Sequence, residues 1–247
     1  MDRSRPPTRP PRWDIVPKPG GVRRLARLAR ADDARFRSLV DRVAPAIERS
    51  LTADVFANRA RRASRPAALA PWRPAHRRWR LAIDDACAGG AAVTTDVEGC
   101  YASITPEAVG RALARAGASA EHASELVTWL LALGELGVEG LPVGPDPSAI
   151  LANAVLGVGD RALERSSVRW LRWVDDWVVV ADDLRTAERG LLELASALRG
   201  EGLHLHEAKT HRWRDARDLL QEGRRARRSL AHGEAATHAR RPKGAVA

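Results

Sequence analysis

Apolar positions follow two periods along the chain, and the changes from one period to the other mark its elements. Around a Pro/Gly turn, Trp13 to Arg24 reads as two short strands, a hairpin with basic residues near its tip. From Asp32 to Leu51, Phe36, Leu39, Val40, Val43 and Ile47 recur at three- and four-residue spacing, which predicts a helix with Pro45 as a kink or break. Residues 59 to 80 are dense in Arg, Pro and Trp without a clean period and read as a loop-rich basic surface or an insertion. Gly89-Gly90 then turns the chain into the apolar strand Ala91 to Thr95, which runs directly into Asp96.

Thr105-Pro106-Glu107 supplies an N-cap, a Pro at the first helical position and an early acid, opening a helix to about Ala116. A second helix is expected from about Glu121 to Leu136. The loop from Gly137 to Pro147 carries three Gly and three Pro, and Ser148 is the expected cap of a helix bearing Ile150, Leu151, Ala154, Val155 and Val158. Val168 to Val174 and Trp177 to Ala181 are two β-rich runs with Asp175-Asp176 between them, a hairpin with carboxylates at its turn. Asp183 to Arg199 is amphipathic and ends at Gly200, and Leu203 to Leu205 is expected to return as a strand. The Pro/Arg-rich residues 1 to 12 read as a disordered basic arm, and the basic segment 214–247 as a tail or thumb remnant, disordered from Ala231. The order of elements fits an α+β fold, an antiparallel sheet backed on one face by helices.

Composition sharpens the choice of partner. The 247 residues are 45% apolar, enough for a core, and 41 Lys+Arg against 31 Asp+Glu leave a net charge of +10. A polyanionic partner follows from that excess. Codon bias toward Arg explains why Arg replaces Lys, but not why bases outnumber acids. Cys87 and Cys100 have neither CxxC spacing nor a His cluster, which argues against zinc and against a disulfide framework. No run approaches about 18 consecutive apolar residues and no signal peptide is evident, so no membrane partner and a cytoplasmic location are expected.

The chemistry concentrates on three carboxylates. If the strand ending at Asp96 lies beside the Asp175-Asp176 hairpin, three acids converge at one sheet edge, and such a cluster needs cations to offset its repulsion. Alternation along a strand makes Asp175 and Asp176 inequivalent; Asp175 is the expected bridging ligand and Asp176 the weaker one. Asp84-Asp85 and Asp182-Asp183 are instead expected to be solvated turns or helix caps, because only Asp175-Asp176 has β-rich apolar sequence on both sides.

The ordered blocks of the chain resemble the reverse transcriptases, of the bacterial type, over about Trp13 to Trp213. VTTDVEGCYASI is similar to their first palm motif, in which an aromatic follows the Asp by five residues, as Tyr101 follows Asp96. GLPVGPDPSAILAN resembles the second, with Val143 where many members have Gln. WVDDW resembles the Tyr-x-Asp-Asp box, with Trp173 for Tyr, and GLHLHEAKT resembles the block carrying a Lys, here Lys209. VPKPGGVRRL is similar to the fingers hairpin, and VFANR to a block whose Arg, here Arg59, closes the next fingers element.

The resemblance implies a right-hand polymerase fold with fingers over residues 13–88, a palm over 89–213 and a thumb reduced or absent. It implies two Mg²⁺ ions, with Mn²⁺ as the alternative, held by Asp96, Asp175, Asp176 and the Val97 carbonyl. Lys18 with Arg23 or Arg24 would grip a triphosphate, Tyr101 would exclude a ribose 2′-hydroxyl, and Pro142 and Gly144 would let backbone approach the nucleotide. Lys209 would protonate the leaving pyrophosphate. The implied activity is RNA-directed DNA synthesis from deoxynucleoside triphosphates on an RNA template with a DNA or RNA primer, in a reduced enzyme of the kind that serves phage defence. A noncoding RNA or protein partner would supply the thumb's function. Two alternatives stand beside it: untemplated or protein-primed synthesis, and a basic nucleic-acid-binding protein whose catalysis has decayed.

Overall fold

The computed structural model describes residues 6–18, 21–61 and 68–223. Strands β1 (Arg12–Lys18) and β2 (Gly21–Arg27) form the expected hairpin, paired in antiparallel register from Arg12↔Arg27 to Lys18↔Gly21. Helix α1 (Arg30–Ser50) runs through Pro45 without interruption and buries Phe36, Leu39, Val40, Val43 and Ile47, the positions its period singled out. The segment before the hairpin departs from the expected arm. Pro7 and Pro11 are buried, and Thr8 donates from its backbone N–H to the Asp32 carboxylate on α1 (3.1 Å) and from its hydroxyl (3.0 Å). Residues 1–5 and 224–247 lie outside the described residues, and with them most of the expected tail.

The basic stretch 59 to 80 also departs from expectation, because its second half is helical. Helix α2 (Trp72–Ala86) places Pro74 in its first turn, where a missing N–H costs nothing. Its inward residues Ala75, Trp79, Ala82, Ile83 and Ala86 carry the helical spacing that a window ending at residue 80 cuts in half. The chain then enters β3 (Ala91–Thr95), the short α3 (Cys100–Ser103), α4 (Pro106–Arg115) and α5 (Ala120–Glu135). Thr105 caps α4 as its sequence demands, accepting from the Ala108 N–H at 3.2 Å. Helix α6 (Asp146–Glu164) begins two residues before the expected cap. Pro145 is its N-cap, and Ser148 is wholly buried inside the first turn.

Strands β4 (Arg169–Trp173) and β5 (Asp176–Ala181) form the acid-bearing hairpin, followed by α7 (Leu184–Arg199), whose N-cap Asp183 accepts from Thr186 N–H at 2.9 Å. Leu203 to Leu205 does not form the expected strand. It makes a single bridge, Leu205 opposite Val97, and the strand that joins the sheet is β6 (His211–Trp213). The four-stranded sheet has the order β4-β5-β3-β6, antiparallel throughout.

Strand alternation divides the sheet into two faces. Trp170, Trp177 and Val179 point into the main core built on α6 and α7, behind which α1, α4 and α5 pack. Ala92, Leu171, Val178 and Val180 point the other way, and that face is covered as well, by α2 and by residues 216–223, which are helical. Helices therefore lie on both faces, and the first part of the expected tail belongs to the fold: Ala216 is buried and its N–H donates to the Gly90 carbonyl at 2.8 Å.

Candidate active site

The β3–β5 register pairs Thr95 with Trp177, so the next step along it sets Asp96 opposite Asp176. Asp175 sits in the two-residue turn that joins β4 to β5. Alternation places Asp176 on the face of Val178 and Val180, and Asp96 on that of Ala92 and Thr94, which is the same face. The three acids that stood about 80 residues apart in sequence thus meet at one end of the sheet. The turn itself is strained: Val174, a β-branched residue, holds φ at 58°, a conformation that costs about 1–3 kcal/mol outside glycine.

Electrostatics follow from this crowding. Burial first, and then the neighbouring Asp96 carboxylate, push the Asp175 carboxyl above the ordinary range. Asp176, although its side chain reaches solvent, is pushed up to about 7 by burial and by the charges of Asp175 and Asp96. Lys209, on a 3₁₀ turn (Glu207–Lys209), donates to Asp96 Oδ2 at 2.5 Å, and that bond holds its ammonium above the usual lysine value. The other Asp96 oxygen, Oδ1, is buried without a hydrogen-bond partner.

An orphaned buried carboxylate oxygen beside two acids with raised proton affinity is a donor set suited to a hard divalent cation. Among the described residues, no group of three or more His, Cys, Asp or Glu side chains is already drawn together around one point as ligands for such an ion. Val97 fits a backbone role. The hydrogen bonds flanking its bridge run from Glu98 N–H to His204 O and from His206 N–H to Asp96 O (both 2.9 Å), which leaves the Val97 carbonyl out of the pair.

Asp176 titrates near neutrality, so cation binding there competes with a proton. Between about pH 4 and 7 the folded chain holds a proton that the unfolded chain has released, and this group's contribution to stability declines as pH rises through that window. Added Mn²⁺ is accordingly expected to raise the melting temperature more at pH 8 than at pH 6, measured by differential scanning fluorimetry. An equal shift at both pH values, or none, would count against Asp176 as a ligand.

The adjacent Arg23 and Arg24 of β2 separate cleanly. Arg24 stacks on Trp13, its guanidinium 4.4 Å from the ring centroid, on one face of the hairpin. Arg23 lies near enough to Asp175 and Tyr101 to lower the proton affinity of both, so it is the arginine directed at the site. Lys18 is exposed at the turn end of the hairpin, opposite Gly21, and makes no ion pair among the described residues. Arg59 serves a structural purpose instead. It pairs with Glu48 on α1 (2.7 Å) and donates to the carbonyls of Thr52 and Val55, which leaves it no free edge for a phosphate.

Tyr101 is half-buried on α3, and burial raises its phenol well above the usual value. Its carbonyl accepts the Leu141 N–H at 2.8 Å. Gly140 permits that approach: at φ 58°, a Cβ there would stand 2.4 Å from the Tyr101 and Ala102 carbonyl oxygens. Pro142 is buried, whereas Gly144 is exposed. The Val143 carbonyl accepts Ala26 N–H at 2.7 Å, so this loop ties β2 and Arg23 to the floor of the site.

A buried polar network beneath the acid turn was not anticipated. Arg172 on β4 is wholly buried; it donates to both Asp160 oxygens (2.8 and 2.6 Å), to Asn153 Oδ1 (2.7 Å) and to the Val174 carbonyl (2.8 Å). Trp177 Nε1 also donates to Asp160 (3.2 Å), and Asn153 Nδ2 donates to the carbonyls of Ala57 and Asn58. Two polar residues seven apart in the otherwise apolar run 149–160 were the available signal, since that spacing sets Asn153 and Asp160 on one face. Arg172 thus reaches from the core to the carbonyl next to Asp175.

The chain matches no protein-family model and no curated protein. Its fold does match solved structures. Candida tropicalis telomerase truncated from its C-terminal domain superposes with a TM-score of 0.53 at 11% identity, over 84% of this chain and 50% of that one. Candida albicans telomerase in complex with the TWJ fragment of telomeric RNA gives 0.55 at 11% identity, over 83% and 42%. Apo Candida tropicalis telomerase gives 0.51 at 11%, over 85% and 44%. The chain spans half or less of these proteins' lengths. The fold is therefore like that of these telomerases over the part they share, with an antiparallel sheet carrying the acids at one end. Among the described residues no helix is long and apolar enough to cross a membrane.

Proposed function

We propose that the chain is a nucleotidyltransferase of the reverse-transcriptase type, extending a primer 3′-hydroxyl with deoxynucleotides on an RNA template. The observation that carries this reading is the register that sets Asp96 opposite Asp176, with Asp175 beside them and Asp96 Oδ1 unpartnered. Asp96, Asp175, Asp176 and the Val97 carbonyl would hold Mg²⁺ or Mn²⁺, which supplies activation of the hydroxyl and neutralisation of phosphate charge. The chain's own residues do the rest. Arg23 presents a guanidinium fork to phosphate oxygens, and Lys18 adds charge at the hairpin's turn end. Lys209 keeps a proton at the site at neutral pH, in contact with Asp96, from which a leaving pyrophosphate can take it. The half-buried Tyr101 ring forms a wall of the nucleotide pocket against a ribose 2′-hydroxyl. The +10 charge suits an RNA template and a primer.

The test is primer extension by the purified chain with labelled deoxynucleotides, Mg²⁺ or Mn²⁺, and primed homopolymer RNA. Incorporation of only the complementary nucleotide is the expected result. Incorporation that ignores template identity would move the assignment to untemplated synthesis, and RNA binding without incorporation under any cation would leave a decayed binding protein. A role in phage defence and a partner supplying a thumb extend the same reading; infection of cells carrying the active or Asp96→Asn gene tests the first.

A further inference from the structure

The sheet face that carries Asp96 and Asp176 is also the one that α2 covers, and α2 has a second side. Trp72 is 61% exposed, unusual for an indole. The Arg73 guanidinium lies 5.5 Å from its ring centroid. From Trp72 the aromatic rings continue inward: His76 at 6.0 Å, then Trp173 at 5.1 Å from His76, with Trp79 5.4 Å from Trp173. Trp173 is two residues from Asp175. Alongside this ladder, Trp72, Arg73, His76, Arg77 and Arg80, with Leu81 and a single acid, Asp84, at its far end, line an open groove of about 400 Å³. None of Arg73, Arg77, Arg78 and Arg80 has an acidic partner among the described residues; the nearby Asp85 is taken by Arg169 at 2.8 Å.

We propose that this face of α2 binds single-stranded nucleic acid, one base lying on Trp72 and backbone phosphates on Arg73, Arg77 and Arg80, so that the strand runs toward Trp173 and the acid turn. Unpaired arginines call for a polyanion, and the exposed indole calls for a flat π-face, which only an unstacked base offers along such a chain. A duplex hides those faces. The basic segment 224–247, with seven Arg and Lys against Glu234, offers the arginines of α2 no charge complement. The use of the strand as template or product rests on the polymerase reading; the binding itself does not.

The experiment is fluorescence anisotropy with labelled 12-nucleotide oligo(rU) and oligo(dT) on the full chain, over a range of salt. Trp72→Ala is expected to weaken binding about tenfold, whereas Trp72→Phe, which keeps a ring, stays near wild type. Replacing Arg73, Arg77 and Arg80 together by Ala is expected to lower the log–log salt slope by about 2, at roughly 0.7 per lost phosphate contact. Trp72, Arg73 and Arg77 are exposed and Arg80 is half-buried, and an unchanged circular dichroism melt shows that the fold survives. The rU and dT arms tell whether the track takes RNA or DNA. Unchanged affinity and slope in the Trp72→Ala and triple variants would overturn the proposal, as would a 12-residue polyglutamate that binds equally well and is lost with Trp72→Ala. Absent incorporation with oligonucleotide binding still lost in these variants refutes only the polymerase reading.

Discussion

Asp96→Asn is expected to abolish cation-dependent nucleotide incorporation, by 10³-fold or more, while leaving the fold intact. Asparagine has the shape of the aspartate but not its charge, and it cannot supply the anionic oxygen that Oδ1 now presents without a partner. Electrostatic stabilisation worth several kcal/mol at the reacting phosphate corresponds to that factor. The backbone would not notice the change, because the Asp96 carbonyl still accepts from His206 N–H and Thr95 still bonds Thr210 at 2.8 Å. The ammonium of Lys209 would lose its anionic partner but sits 58% exposed, where water replaces it. The checks are single-nucleotide extension and a thermal melt on the same preparation. Normal extension by this variant would remove Asp96 from the site.

The second large effect is expected inside the core. Asp160→Asn leaves the Arg172 guanidinium wholly buried without a counter-charge, and breaking a buried pair in this way costs about 3–5 kcal/mol. For a chain of this size that is a fall in melting temperature on the order of 10 °C. Arg172→Lys separates stability from positioning. It keeps the charge, but a single ammonium cannot span Asp160, Asn153 and the Val174 carbonyl together. The turn carrying Asp175 would then lose its tether, and kcat is expected to fall more than KM rises. Equal stability and equal kcat in both variants would show that the network does not hold the turn.

Much of this was legible in local sequence. The run AAVTT ending in Asp96, the acids between two β-rich runs, the Thr105 cap and the α1 period all fold as their patterns require. Local signals failed where a long-range partner overrides them. The α2 period was masked by Pro74 and a crowd of arginines, and it emerges only against the apolar sheet face that Ala75, Trp79 and Ile83 meet. Ser148 looks like a cap, yet Pro145 and Pro147 begin the helix earlier and draw it inside. Leu203 to Leu205 has strand composition, but it reaches only Val97 at the end of β3, and the edge of the sheet goes to His211–Trp213. Arg23 and Arg24 are equivalent in sequence; the hairpin's alternation and its docking through Ala26 on Val143 send only one toward Asp175.

The three carboxylates show the division most clearly. Sequence alone determined that each ends or joins a strand, because period and turn composition act over a few residues. Only tertiary structure decided that Asp96 and Asp176 share a face with Asp175 beside them, since strand register depends on which side of each strand the core buries. It also placed a lysine from residue 209 on Asp96 and an arginine network under Asp175. Contacts across such sequence separations are set by packing, and packing left Asp96 Oδ1 unpartnered at the centre of the site.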